Sequence, residues 1–157
     1  MKNRYIMFFV CLLVCFLPML GGFAISADSL EKWYAALTKP AFTPPGWLFG
    51  PMWTVLYILL SVVLYKLVRA DIEHSLRKLL LTYFGWQLFL NFLWTPVFFG
   101  FHAIFLALCV IVLMAALCVD FIRQAWRAKP VLAYLMMPYT LWLCYAGYLN
   151  CGIYILN

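Results

Sequence analysis

Few side chains in this 157-residue chain can do bond-making chemistry. His74 and His102 each stand alone between apolar runs, where a solvated loop histidine is expected rather than a metal ligand or general base. The cysteines, Cys11, Cys15, Cys109, Cys118, Cys144 and Cys151, form no CxxC pair and read as small buried hydrophobes. There is no pair of acids inside an apolar run, no serine in a nucleophile elbow and no glycine-rich phosphate loop. Neither a metal site nor a required cofactor is expected. What remains is recognition chemistry, carried by indoles and carboxamides. Gln87, Asn91, Trp94 and Phe98 recur at i, i+4, i+7 and i+11, on one helical face. Trp142, Ala146, Leu149, Asn150 and Ile153 form a second stripe, in which a small residue opens space beside a large ring. Trp53 and Tyr57 are an i, i+4 pair.

Such faces need elements to carry them, and composition names the elements. Hydrophobic residues make up 68% of the chain and charged residues 10%, with a mean hydropathy of +0.99. A soluble domain carries roughly 25% charge, and a globule of this size cannot hide so much apolar surface from water. Soluble enzymes and nucleic-acid binders are excluded. An all-α integral membrane protein is expected, with no nucleic-acid partner and lipid as its solvent. A bilayer core takes about 20 apolar residues per helix, and five stretches qualify: residues 5–25, 47–68, 79–99, 103–122 and 131–156. Run length selects helices over barrel strands. The expected fold is a single domain over 1–157, a five-transmembrane-helix bundle. The first run also reads as a signal peptide, with Lys2 and Arg4 before it and Ala24-Ile25-Ser26-Ala27 after it. Its length favours a retained helix; cleavage would leave four spans.

The net charge of +6 is expected to set orientation. Nine Lys and Arg fall at the N-terminus and in the second and fourth connections, against two, Lys32 and Lys39, in the first. This places the N-terminus in the cytoplasm and the C-terminus outside. The first connection, residues 26–46, holds Trp33, Tyr34 and Phe42 and ends in Thr43-Pro44-Pro45-Gly46. Thr43 is expected to cap the second helix and Pro44 to open its first turn, and the stiff aromatic segment is expected to sit over the bundle as a lid. Pro138 is expected to bend the fifth span. Ala107, Ala115 and Ala116 offer small surfaces for close helix contact.

The aromatic faces admit two readings. They pack on one another, with Gln and Asn joining helices by hydrogen bonds, or they line a cavity for a flat, largely apolar polycyclic ligand. Longer motifs bear on the choice. The run Trp33-Tyr34-Ala35-Ala36-Leu37-Thr38-Lys39-Pro40-Ala41-Phe42-Thr43-Pro44-Pro45-Gly46, followed by Trp53, resembles the first-loop signature of the translocator protein family. The family is also called tryptophan-rich sensory protein or peripheral benzodiazepine receptor. Asn91-Phe92-Leu93-Trp94-Thr95-Pro96-Val97-Phe98-Phe99-Gly100 resembles its third-helix motif, and Pro138-Tyr139-Thr140-Leu141-Trp142 with Leu149-Asn150 its fifth-helix motif.

The resemblance implies a homodimeric five-helix bundle that binds protoporphyrin IX, haem, benzodiazepine-site drugs and sterols beneath the first loop. It implies ligand contacts at Tyr34, Pro44, Trp53, Asn91, Trp94, Trp142, Ala146 and Leu149. It also implies a light- and oxygen-dependent breakdown of porphyrin associated with Trp53 and Trp142, as an alternative to transport, sensing or buffering. A non-binding scaffold is the third reading. Two departures narrow the implication. No Lys or Arg follows Tyr154, so sterol is doubtful as a partner, and Val110 stands where many members carry a fourth-helix aspartate. A bacterial cytoplasmic membrane is the expected location.

Overall fold

The computed structural model describes residues 2–157, and the side chains of all of these except 2, 20–28, 30 and 31. The Lys2 cation and the Ala24–Ala27 side chains considered for leader cleavage lie outside that set. The described chain is helical, without strands. Five long helices follow one another: α1 (Lys2–Ser29), α2 (Phe49–Val68), α3 (His74–Thr95), α4 (Ile104–Ala128) and α5 (Pro130–Leu156). Among the described residues, two helical segments, Gly46–Val68 and Ile104–Ala128, are long and apolar enough to cross a membrane by themselves.

Several boundaries differ from the apolar runs, for a common reason. Hydropathy marks the length soaked in hydrocarbon, whereas a helix continues through polar residues whose long stems reach for water. Thus α4 runs on to Ala128 rather than ending at Ile122, and α3 begins at His74, which is therefore helical and not a loop residue. The first connection is also partly helical, because α1 passes into a π-helical turn over Leu30–Tyr34.

Proline explains two further details. Thr43 does not cap α2: its hydroxyl donates to the Pro40 carbonyl at 2.7 Å. A residue before proline avoids the helical region, so Pro44-Pro45 delays the helix. Pro45 is extended (φ −61°, ψ 144°), a 3₁₀ turn follows at Gly46–Leu48, and α2 starts at Phe49. At the end of α3, Pro96 lies at the start of a π-helical turn, Pro96–Gly100. The wider spacing is visible where the Phe101 N–H reaches the Pro96 carbonyl at 2.9 Å. Pro130 opens α5 at its first position, where its missing N–H costs nothing, and α5 continues through Pro138.

The helices close into a ring in the packing order α1, α2, α5, α4, α3 and back to α1. Its polarity is inverted relative to a soluble bundle. Ser61, Gln87, Asn91, Thr140 and Asn150 are buried, while Val55, Ile58, Phe89, Leu106, Val112, Leu113 and Leu141 face outward. An apolar exterior around a core holding carboxamides suits a hydrocarbon solvent. Ala107 is fully buried within the chain and Val110 nearly so, so of the three small residues in α4 only Ala115 and Ala116 retain any exposure.

Candidate ligand-binding site

Three helices bring the aromatic faces to one end of the bundle, beside the first connection. On α2, Phe49, Trp53 and Tyr57 follow at single-turn spacing, and Trp53 stacks on Tyr57 at 5.5 Å between ring centres. On α5, Trp142 meets the edge of Trp53 at 6.5 Å and of Phe49 at 6.4 Å. On α3 and the turn after it, Trp94 stacks on Phe98 at 5.0 Å with 13° between planes. Tyr34, from the end of the first π-helical turn, touches Phe98 at 6.2 Å and Phe49 at 6.5 Å. The contacts therefore form a circuit: Trp94, Phe98, Tyr34, Phe49, Trp142, Trp53 and Tyr57, closing through Asn91, one turn before Trp94.

Hydrogen bonds secure the lower side of that circuit. The Tyr57 hydroxyl donates to Asn91 Oδ1 at 2.6 Å, and Asn91 Nδ2 donates to the Tyr139 hydroxyl at 2.9 Å. All three side chains are buried, so α2, α3 and α5 are tied by a polar rung beneath the indoles. Asn91, implied as a ligand contact, engages each amide atom once on protein, which leaves one N–H and one lone pair of the carboxamide uncommitted. The indole N–H groups of Trp94 and Trp142 are the reverse case. Each is buried and has no acceptor among the described residues. A buried donor without a partner costs about 1–3 kcal/mol, so an acceptor supplied from outside the chain is worth most at these two atoms. Gln87, one turn below Asn91, is fully buried, and neither amide atom has a partner among the described residues.

The first connection is held over this end by α5. Tyr145 donates to the Phe42 carbonyl at 2.6 Å and Tyr148 to the Ala41 carbonyl at 3.0 Å. Asn157 accepts from the Thr38 N–H at 2.9 Å and donates to the Thr38 carbonyl at 3.0 Å. Gly152 lies so close to the loop that a Cβ there would stand 2.6 Å from Pro40 Cβ. Phe42 adopts φ +61°, a region costly for a bulky side chain, and its ring is 87% exposed. At the root of the loop Trp33 stacks on His102 at 4.2 Å, and Lys39 Nζ lies 4.9 Å from the Tyr34 ring centre. Burial, and secondarily Tyr145, pushes the Tyr34 phenol above its ordinary range, so it remains a neutral donor at physiological pH.

Of the eight residues implied by resemblance, Tyr34, Trp53, Asn91, Trp94 and Trp142 belong to the circuit. Ala146 and Leu149 lie one and two turns beyond Trp142 on α5, half-buried and buried respectively. Pro44 is half-buried in the loop, two residues past the latched Phe42 carbonyl. The α5 stripe divides, because Asn150 Nδ2 donates to the Ile104 carbonyl at 3.0 Å and so ties α5 to α4. Phe49, Tyr139, Tyr145, Tyr148 and Asn157 escape the sequence reading. The first two are marked by continuing single-turn spacing from Trp53 and Trp142, whereas the latch residues have no local signal. Two surface grooves are present: about 470 Å³ between His102–Leu106, Tyr154 and Asn157, beside the root of the loop, and about 500 Å³ on α3 around Gly85 and Trp86.

With that geometry in hand, relatives give it a place. "Tryptophan-rich protein TspO" of Archaeoglobus fulgidus is 40% identical over 138 residues, covering 87% of this chain and 88% of its own. "Protein CrtK" of Rhodobacter capsulatus is 36% identical, covering 80% of this chain and 78% of its own. "Translocator protein" of Sus scrofa is 35% identical, covering 85% and 81%. The apolar helices, with apolar side chains turned outward, mark a membrane protein. The pattern of the TspO/MBR family matches residues 8–156, nearly the whole length, and the chain belongs to that family.

Proposed function

We propose that this protein is a five-span membrane receptor for planar tetrapyrroles, protoporphyrin IX or haem, in a transport, sensing or regulatory role. Benzodiazepine-type drugs would compete for the same site. The observation that carries this reading is the conjunction of a closed aromatic circuit with two buried indole donors that lack acceptors. Ring faces attract a flat π-system with little regard to its detailed structure. The donors at Trp94 and Trp142 add a demand for acceptor atoms. Relatives named translocator and tryptophan-rich sensory protein support a transport or sensing role.

The polar rung adds direction to the reading. Tyr57, Asn91 and Tyr139 join three helices directly below the indoles, so a ligand exchanges past the loop or sideways between helices rather than through the bundle axis. The excess of Lys and Arg at the end opposite the loop supports an orientation with the N-terminus and the rung's lower side toward the cytoplasm and the loop outside; the proposed location is a bacterial cytoplasmic membrane. A homodimer completes the assembly.

Protoporphyrin added to the purified protein should quench tryptophan fluorescence saturably at micromolar concentration. Absence of saturable quenching sinks the reading. A second reading, light- and oxygen-dependent porphyrin breakdown, draws on the edge-to-face contact of Trp53 with Trp142. Trp53→Phe/Trp142→Phe should then slow bleaching under illumination while binding persists; unchanged bleaching discards it.

A further inference from the structure

We propose that the end of the bundle opposite the loop is a binding surface for acidic phospholipid headgroups. This rests on the membrane reading and not on which ligand the aromatic site takes. The antiparallel order of the helices gathers the start of α1, the α2–α3 turn and the α4–α5 turn at this end. Phe8 meets Tyr65 at 5.6 Å, joining the first two, and Trp126 meets Tyr134 at 5.0 Å across the third.

Not every cation here is available. Arg77 donates from Nη2 to the Ala70 carbonyl at 2.6 Å and to the Ile72 carbonyl at 3.4 Å, clamping the turn. Arg69 is folded against Tyr65, bonding its hydroxyl and lying over its ring. Arg123 pairs with Asp120 at 3.4 Å. Arg4, Lys66, Lys78, Arg127 and Lys129 are exposed, and none makes an ion pair with a described residue. The acids at this end are Asp71, Glu73 and Asp120, the last of them already paired. The free charge is therefore strongly positive.

The aromatic pair fixes the depth at which this charge sits. Trp126 is 42% exposed and Tyr134 58% exposed. Amphipathic rings of this kind settle at headgroup level. Arg127 and Lys129 follow Trp126 within three residues, so their cations lie in the phosphate layer rather than in open water. Below the Arg123–Asp120 pair the α4 exterior is apolar through Val119, Leu113 and Val112, a surface for the acyl chains of the same lipids. Charge complementarity with apolar surface beneath it fits an anionic amphiphile better than an acidic protein, which would leave the acyl surface unused. Each basic residue near a membrane surface favours anionic over neutral lipid by roughly fivefold.

Native mass spectrometry of the detergent-purified full chain, incubated with equal phosphatidylglycerol and phosphatidylcholine, tests this. Phosphatidylglycerol adducts should dominate in the wild type. Lys78→Gln/Arg127→Gln/Lys129→Gln should bring them down at least tenfold toward the phosphatidylcholine level, while Lys78→Arg/Arg127→Lys/Lys129→Arg retains them. Equal retention of both lipids by the wild type, or a preference that survives the glutamine triple, overturns the proposal. So does displacement by excess soluble glycerophosphate, which would place the selectivity in a phosphate pocket. If the glutamine triple fails to fold, the single variants Lys78→Gln and Arg127→Gln are read separately, and each must lower the adduct ratio severalfold.

Discussion

Asn91 and Gln87 are carboxamides one turn apart on one helix, yet their energetics are opposite. Asn91 has both amide atoms engaged by phenols, whereas Gln87 has neither engaged by a described residue. Replacing Asn91 by Leu leaves Tyr57 and Tyr139 buried without their partner, a loss of about 1–3 kcal/mol. It should appear as a lower unfolding temperature in detergent. Gln87→Met removes two unsatisfied groups while keeping volume, and should raise the same temperature, by about 1–3 kcal/mol of stability. A drop instead would mean that Gln87 is satisfied by something outside the chain. Periodicity places both carboxamides on one inward face, but it cannot distinguish them. The partners come from α2 and α5, and only the relative heights of three helices decide which amide meets a phenol.

At the scale of elements, the first connection and α5 work as a pair. Tyr145 and Tyr148 each give one hydrogen bond to the loop backbone. Each bond is worth about 0.5–1.5 kcal/mol. Tyr145→Phe/Tyr148→Phe should therefore expose residues 38–46 to faster hydrogen exchange and proteolysis while leaving helix content unchanged. Protection equal to wild type would show that packing at Gly152 and Pro40, with the Asn157 bonds to Thr38, suffices without the two phenols. The loop's stiffness is legible in its prolines, and the late start of α2 follows from the consecutive pair Pro44-Pro45, once the bias on the residue before proline is set above the capping preference of Thr43. The latch is not legible. Tyrosines near a span end read as interfacial belt residues, and their acceptors lie more than a hundred positions away in the chain.

Over the whole molecule, the inverted distribution of polar and apolar side chains was readable from composition, because no arrangement of this chain buries its apolar majority. The helix ends were less so, since hydrophobic length and helical length are different quantities. Orientation is a whole-molecule property too. In a background without the native cysteines, Lys78→Cys should react with a membrane-impermeant maleimide only after the cytoplasmic side is opened. Thr38→Cys should react in intact cells. The opposite pattern would invert the assignment of the two ends.

The latch also bears on biogenesis. Thr38 and Phe42 leave the ribosome before their anchors, Asn157 and Tyr145, from which they are separated by 119 and 103 positions. Contacts so distant along the chain form late, because closing the intervening segment must be offset first. A nascent chain with four helices inserted therefore has Trp53 and Trp94 in place but neither Trp142 nor an anchored cover. Trp142 and the anchors of the cover thus arrive together, with α5.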